Sequence, residues 1–310
     1  MRLKLGPQFA ALMASSLLLS GCAATQAAPP PANASEELAT QIGEAPTETS
    51  PPTGHQWLYG SAESVAASRQ AYGDLLDYVM AVKKAINAGE KDHLRSVILK
   101  DGLEDPLVFR PCLNDKLAVI FDADETLIWN VGFMRYMAER RLDFDPKIWS
   151  NWEKTGAGKA LAIPGAAAAL GKLREMGVTI IANTNRSAAN AKGTQDTLRA
   201  AGLGEFKHGE TLFLRGDTPG GSDKDGRRAI IAGRYCVIAM AGDQLGDFAH
   251  GFNAKGLRPR NRRALASRAA VAKMWGNGWF LLPNPVYGPS IRGGFDDVYP
   301  PETKWSPEQE

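Results

Sequence analysis

Five short apolar runs, each closed by polar or turn residues, constrain this chain more than any other feature of its sequence. They span 117–121, 178–182, 211–214, 235–241 and 279–282. Their β-branched and apolar content, without polar alternation, reads as strands buried on both faces, as in a parallel sheet. Segments with helical spacing lie between them, near 166–176, 188–201, 225–232 and 260–274. That rhythm predicts an α/β fold, a doubly wound parallel five-stranded sheet. Ligands of such sheets bind beyond the carboxyl ends of the strands, so the residues after each run are the candidates for chemistry. Upstream, residues 61–89 carry apolar positions at helical spacing and end at Gly89, which predicts one or two N-terminal helices. Between the first run and Pro164 lies a stretch rich in aromatics, with Trp129, Phe133, Tyr136, Phe144, Trp149 and Trp152. An insertion over about 130–162 would form a small helical cap, most of its aromatics making a core of their own.

The first run ends in Asp122-Ala123-Asp124-Glu125-Thr126. Two carboxylates two residues apart, directly after an apolar strand, are costly without a partner, and metal or phosphate chemistry would supply one. The second run leads into Asn183-Thr184-Asn185-Arg186, whose hydroxyl, amide and guanidinium suit phosphate oxygens. Lys224 opens a helix, and the fourth run leads into Gly242-Asp243-Gln244-Leu245-Gly246-Asp247-Phe248. Each set alone is weak, because caps, turns and solvated lysines account for such residues. All four at the same sheet edge, in this order, point to a catalytic site.

The N-terminus reads as an address. Arg2 and Lys4 precede an apolar stretch from about Phe9 to Leu19, then Leu19-Ser20-Gly21-Cys22. The tetrapeptide resembles a bacterial lipobox, which makes 1–21 a lipoprotein signal peptide and Cys22 the lipidated residue. Acyl chains on Cys22 would hold the chain on a membrane. Residues 22–54 hold four Glu, six Pro and no Lys or Arg, too polar to fold, and read as a disordered tether. At ~5–6 Å × √n such a tether reaches roughly 30 Å. Residues 55–310 then form the folded domain. With 23% charged residues, 44% hydrophobic residues and a net charge of +2, disorder of the whole chain is excluded, and charge makes no case for nucleic acid.

The four sets resemble those of the haloacid dehalogenase (HAD) superfamily, and within it the class C acid phosphatases, the bacterial lipoprotein e-like 5′-nucleotidase/acid phosphatases. The likeness extends to Gln56-Trp57-Leu58-Tyr59-Gly60, Ile163-Pro164-Gly165-Ala166 and Leu282-Pro283-Asn284-Pro285-Val286-Tyr287-Gly288. Departures are Gln244 for Asn or Thr, Thr184 for Ser, Phe133 for Tyr, and Pro289 after the Tyr-Gly pair. The resemblance implies a HAD-like sheet and a Mg²⁺-dependent phosphomonoesterase. It makes Asp122 the nucleophile and Asp124 the general acid and base. Mg²⁺ would sit on an Asp122 oxygen, the Asp124 backbone carbonyl, Asp243 and waters that Asp247 fixes, while Thr184 and Lys224 hold phosphoryl oxygens. Asn185 and Arg186 would support that shell at the substrate, and Tyr287 with Trp149 or Trp152 would sandwich a base. The implied substrates are small phosphomonoesters, 5′-nucleoside monophosphates and aryl phosphates, handled at a bacterial outer membrane. The alternatives are a broad or sugar-phosphate HAD phosphatase and a ligand-binding surface lipoprotein. In HAD sheets the first and fourth strands are neighbours, which brings Cys112 and Cys236 to one sheet edge. There they form either a disulfide or two unpaired thiols.

Overall fold

The computed structural model describes residues 50–90 and 94–307. The stretch 1–21 expected as a signal peptide, Cys22 expected as the lipidated residue, and the expected tether as far as residue 49 lie outside the described residues. A helical turn, Thr53–His55, begins inside the stretch read as tether and runs into a π-type turn, Gln56–Gly60. Gly54 is needed there, because a Cβ would collide with the Pro285 carbonyl.

The elements follow in order. Helix α1 is Ala62–Asn87, strand β1 Leu117–Phe121 and strand β2 Ile128–Trp129. Helices α2 (Val131–Glu139) and α3 (Pro146–Thr155) come next, then β3 (Leu161–Ala162), α4 (Ala166–Glu175) and β4 (Thr179–Ser187). Helix α5 (Ala191–Ala200), β5 (Leu212–Arg215), α6 (Asp225–Ala232) and β6 (Cys236–Gly242) complete the central units. The chain ends through α7 (Pro259–Ser267), α8 (Ala269–Ala272), β7 (Trp279–Leu281) and α9 (Phe295–Val298).

Five strands form one parallel sheet in the order β5-β4-β1-β6-β7, the doubly wound arrangement that the apolar runs predict. Both faces are buried, as a parallel sheet demands. Along β1, Val119 and Phe121 enter one apolar cluster while Ala118 and Ile120 enter the other. Helix α1 is one continuous helix, capped by Ser61, whose hydroxyl accepts from the Ser64 N–H. It buries Ser64, Ser68, Tyr72, Leu75, Val79 and Val82, a single stripe at three- and four-residue spacing. The cap segment folds as α2 and α3, rooted on an antiparallel β2–β3 ladder that pairs Ile128 with Ala162. Its own core holds Phe133, Met134 and Met137.

Two expected elements differ. Strand β4 runs five residues beyond 182, to Ser187, with an irregular register between Asn183 and Ser187. The helix expected over 260–274 is two pieces, because Arg268 takes an extended backbone (ψ 135°) and sends its guanidinium to the Leu103 carbonyl. The cysteines are paired: Cys112 and Cys236 form a disulfide with Cα atoms 4.6 Å apart. Cys236 opens β6 opposite Leu117, so the bond lies at the amino edge of the sheet.

Candidate active site

The carboxyl ends of β1 and β6 and the start of α6 bring Asp122, Asp243, Asp247 and Lys224 together. Strand β1 delivers Asp122, whose N–H is held by the Ala241 carbonyl of β6 at 2.9 Å. Just past β6, a tight turn carries Asp243 and Asp247. Gly242 must lack a side chain, since a Cβ there would collide with the Asp247 carboxylate. Lys224, at the N-terminus of α6, donates to Asp122 and, at 2.8 Å, to Asp247 Oδ1. Asp122, Lys224 and Asp243 are buried, and the Asp247 side chain is 10% exposed. Asp243 accepts from Asn284 at 2.7 Å, Gln244 at 3.1 Å and Thr126 at 3.3 Å.

Burial raises the Asp122 pKa; Lys224 opposes that rise, while Asp247, Asp243 and Asp124 add to it. Burial, with Asp247 beside it, pushes Asp243 up to about 7. For Lys224, burial alone would lower the pKa, but the pull of Asp122 and Asp247 prevails and holds it raised. One ammonium among these carboxylates leaves negative charge in excess. Ligand oxygens of Asp122, Asp243 and Asp247 lie within 4.8 Å of one another. An oxygen-only donor set with surplus negative charge fits a hard divalent cation such as Mg²⁺.

Asp124 stands on the other side of Asp122 and is set differently. Its Oδ1 accepts from Arg186 Nε at 2.8 Å and from Asn130 Nδ2 at 3.0 Å. Among the described residues, its Oδ2 has only the Thr184 hydroxyl, at 3.4 Å. Asn130 is itself fixed, because its Oδ1 accepts from Arg186 at 2.7 Å and from the Trp152 indole N–H at 2.8 Å. Behind them lies Glu125, fully buried, with a backbone φ of +53° that few non-glycine residues adopt. It accepts from the Tyr59 hydroxyl at 3.1 Å, from the Asn130 N–H at 2.9 Å and from the Tyr287 hydroxyl. Burial, with Asp124 adding to the rise, pushes Glu125 up to about 7.

Above this floor opens a cavity of about 900 Å³. Asp122, Asp124, Lys224, Asp243 and Asp247 line its base. Phe133, Met134, Met137, Phe144 and Trp149 form the cap wall, and Tyr287 stands on the C-terminal side.

The profile of the HAD superfamily, subfamily IIIB (acid phosphatase), matches residues 66–290. The chain belongs to that subfamily. It is an acid phosphatase of the HAD superfamily, and so a phosphomonoesterase. Its fold is that of a solved class C acid phosphatase from Bacillus anthracis. With tungstate bound, that protein aligns at a TM-score of 0.60 and 21% identity, over 76% of this chain and 84% of the other. A second structure of the class C acid phosphatase from Bacillus anthracis gives 0.58 and 21%, over 77% and 85%.

The phosphatase thus gathers Asp122, Asp124, Lys224, Asp243 and Asp247 at the cavity base, and Asn185, Trp149 and Tyr287 on its walls. Three residues stand elsewhere than the sequence suggests. Thr184 and Arg186 are fully buried and line no wall, because β4 continues past them and Arg227 holds the strand there through the Thr184 carbonyl. Arg186 turns to Asp124 and Asn130 instead of to substrate. Trp152 also leaves the wall, its indole N–H held by Asn130, so Trp149 is the cap tryptophan that faces the cavity. The guanidinium of Arg186 lies 5.5 Å from the Trp149 ring centre. Residues that sequence reasoning left without a role are Glu125, Asn130, Tyr59, Asn284 and Arg227. Tyr59, Glu125 and Asn284 sit inside the motifs that carry the resemblance. Asn130 has no sequence signal beyond its nearness to the end of β2, and Arg227 none beyond its nearness to Lys224.

Proposed function

We propose that this acid phosphatase is a Mg²⁺-dependent enzyme that hydrolyses 5′-nucleoside monophosphates and aryl phosphates through a phospho-aspartate on Asp122. The observation that carries this reading is the Asp122 carboxylate at the tip of β1, held by Lys224 and facing the cavity. An Asp122 oxygen attacks phosphorus, a P–O bond to Asp122 forms, and the bond to the leaving oxygen breaks. Asp124 gives that oxygen its proton. Two donors pin Oδ1 as an acceptor, so the proton rides on Oδ2. In the second step water attacks phosphorus, Asp124 Oδ2 takes the water's proton, and Asp122 is released. Lys224 stabilises charge on the phosphoryl oxygens. Asn185, whose side-chain oxygen accepts from Arg227 at 2.6 Å, lines the same cavity and would offer its amide nitrogen to them. Thr184 stands behind the acid at Oδ2.

Asp122, Asp243, Asp247 and the Asp124 backbone carbonyl would hold Mg²⁺. When bound, the ion offsets the surplus negative charge at the floor and withdraws charge from the phosphoryl group. The apolar cap wall supports aromatic leaving groups over sugars, with Trp149 opposite Tyr287 as the stacking pair. Tetrahedral tungstate in the solved relative is consistent with a site built for phosphate. Signal peptide and lipobox support an outer-membrane lipoprotein anchored through Cys22. Rapid quench of enzyme and substrate tests the mechanism. Expected is an acyl phosphate on Asp122, together with activity that a chelator abolishes and Mg²⁺ restores. Phosphate trapped on another residue would sink the assignment.

A further inference from the structure

We infer that the C-terminal segment 291–305, with helix α7 behind it, is a docking face for the surface of an anionic lipid bilayer. The segment begins where the family match ends, at residue 290. Ile291, Phe295, Val298, Tyr299 and Trp305 are all exposed, Phe295 at 83% and Trp305 at 80%. Phe295 and Tyr299 lie together, with ring centres 6.1 Å apart. The segment is fastened to the domain despite this exposure. Arg258 donates to Asp297 Oδ1 at 3.1 Å, Arg263 donates to the Asp297 carbonyl at 3.3 Å, and Pro259 packs on Gly293. An apolar patch held in place and turned to water marks an interaction surface.

Charge selects the occupant. Residues 255–307 hold nine Lys and Arg against three Asp and Glu, while the whole chain is only +2, so the rest carries an excess of acids. Of those three acids, Asp297 is already paired with Arg258. Lys255, Arg260 and Arg263 are exposed on or beside α7. Trp and Tyr rings beside arginines suit the headgroup level of a bilayer, where the rings enter the interface and the cations meet anionic lipid. An apolar protein partner would leave the cations unmatched, and nucleic acid would leave Ile291 and Val298 wet. The anchoring proposed at Cys22 reinforces the inference, because a tethered domain meets the bilayer at high effective concentration and needs only a weak face. Arg292, in the same segment, also lines the catalytic cavity, so docking would set the cavity mouth beside the membrane.

Hydrogen–deuterium exchange on the full chain tests this, with phosphatidylglycerol vesicles compared to phosphatidylcholine vesicles. Exchange across 295–305 is expected to slow on the order of tenfold on the anionic vesicles alone. Molar salt should reverse the slowing. Lys255→Glu/Arg260→Glu, which leaves the bonds from Arg258 and Arg263 to Asp297 in place, should lose it while p-nitrophenyl phosphate turnover is unchanged. Equal exchange on the two vesicle types overturns the inference. So does slowing that tracks protein concentration without lipid, which would assign the face to a second copy of this chain.

Discussion

The two ends of the same five strands are built in opposite ways. At the carboxyl end, β1 and β6 crowd Asp122, Asp124, Asp243 and Asp247 around one lysine, and burial raises the proton affinity of Asp122 and Asp243. At the amino end, the same two strands meet at a disulfide, and every residue of β6 is buried. Buried like charges work against folding unless something neutralises them. A cross-link works for it by restricting the unfolded chain. The sheet therefore separates its two tasks by about the length of a strand, with chemistry at one end and stability at the other.

The sharpest way to break that comparison is Asp122→Asn. The separation predicts a loss in kcat of roughly 10⁴-fold or more. The melting temperature, read by calorimetry, should stay within a few degrees or rise, because a buried carboxylate has been neutralised. A collapse of stability would show that the carboxyl end also holds the fold. Next in size is Asp124→Asn. Steady-state kinetics should show a loss of about 10²–10⁴-fold on an alkyl phosphate, where the leaving oxygen needs a proton. The loss on p-nitrophenyl phosphate, whose leaving group needs none, should be much smaller. Equal losses would remove the general-acid role.

At the amino end, Cys112→Ala/Cys236→Ala should lower unfolding stability by about 2–5 kcal/mol in denaturant titrations. Turnover at room temperature should not change. An altered kcat would mean that the two ends communicate along β1 and β6. The smallest effect belongs to the cavity wall. Trp149→Ala should cost roughly 1–3 kcal/mol in kcat/KM on a nucleoside monophosphate. A small alkyl phosphate should show little change, and equal losses on both would argue against a stacking wall.

What was legible in the sequence divides along similar lines. The five strands could be read because a parallel strand is apolar on both faces, which needs no knowledge of its neighbours. The carboxylates Asp122, Asp124, Asp243 and Asp247 stood out because charge directly after an apolar run is conspicuous. Side-chain direction was not legible. Arg186 lies near a strand end, where a guanidinium facing substrate was the natural expectation. Its actual partner, Asp124, is 62 residues away in sequence. Trp149 and Trp152, three residues apart on one helix, were indistinguishable until Asn130 claimed the Trp152 indole. The break between α7 and α8 depends on the Leu103 carbonyl, 165 residues upstream of Arg268. Each miss is a long-range hydrogen bond, which no local pattern encodes.

The shell around Glu125 also bears on when the enzyme can begin to work. Tyr59 belongs to the opening of the domain, Asn130 to the root of the cap, and Tyr287 to a turn past the last sheet strand. Asn284, which holds Asp243, is made almost as late as Tyr287. A ribosome builds these residues in sequence, so a nascent chain holding every charged residue of the catalytic floor still lacks Tyr287 and Asn284, one of the donors to each of Glu125 and Asp243. Hydrolysis should therefore switch on late in biosynthesis, when β7 has joined the sheet, and partly made chains should leave phosphate esters intact.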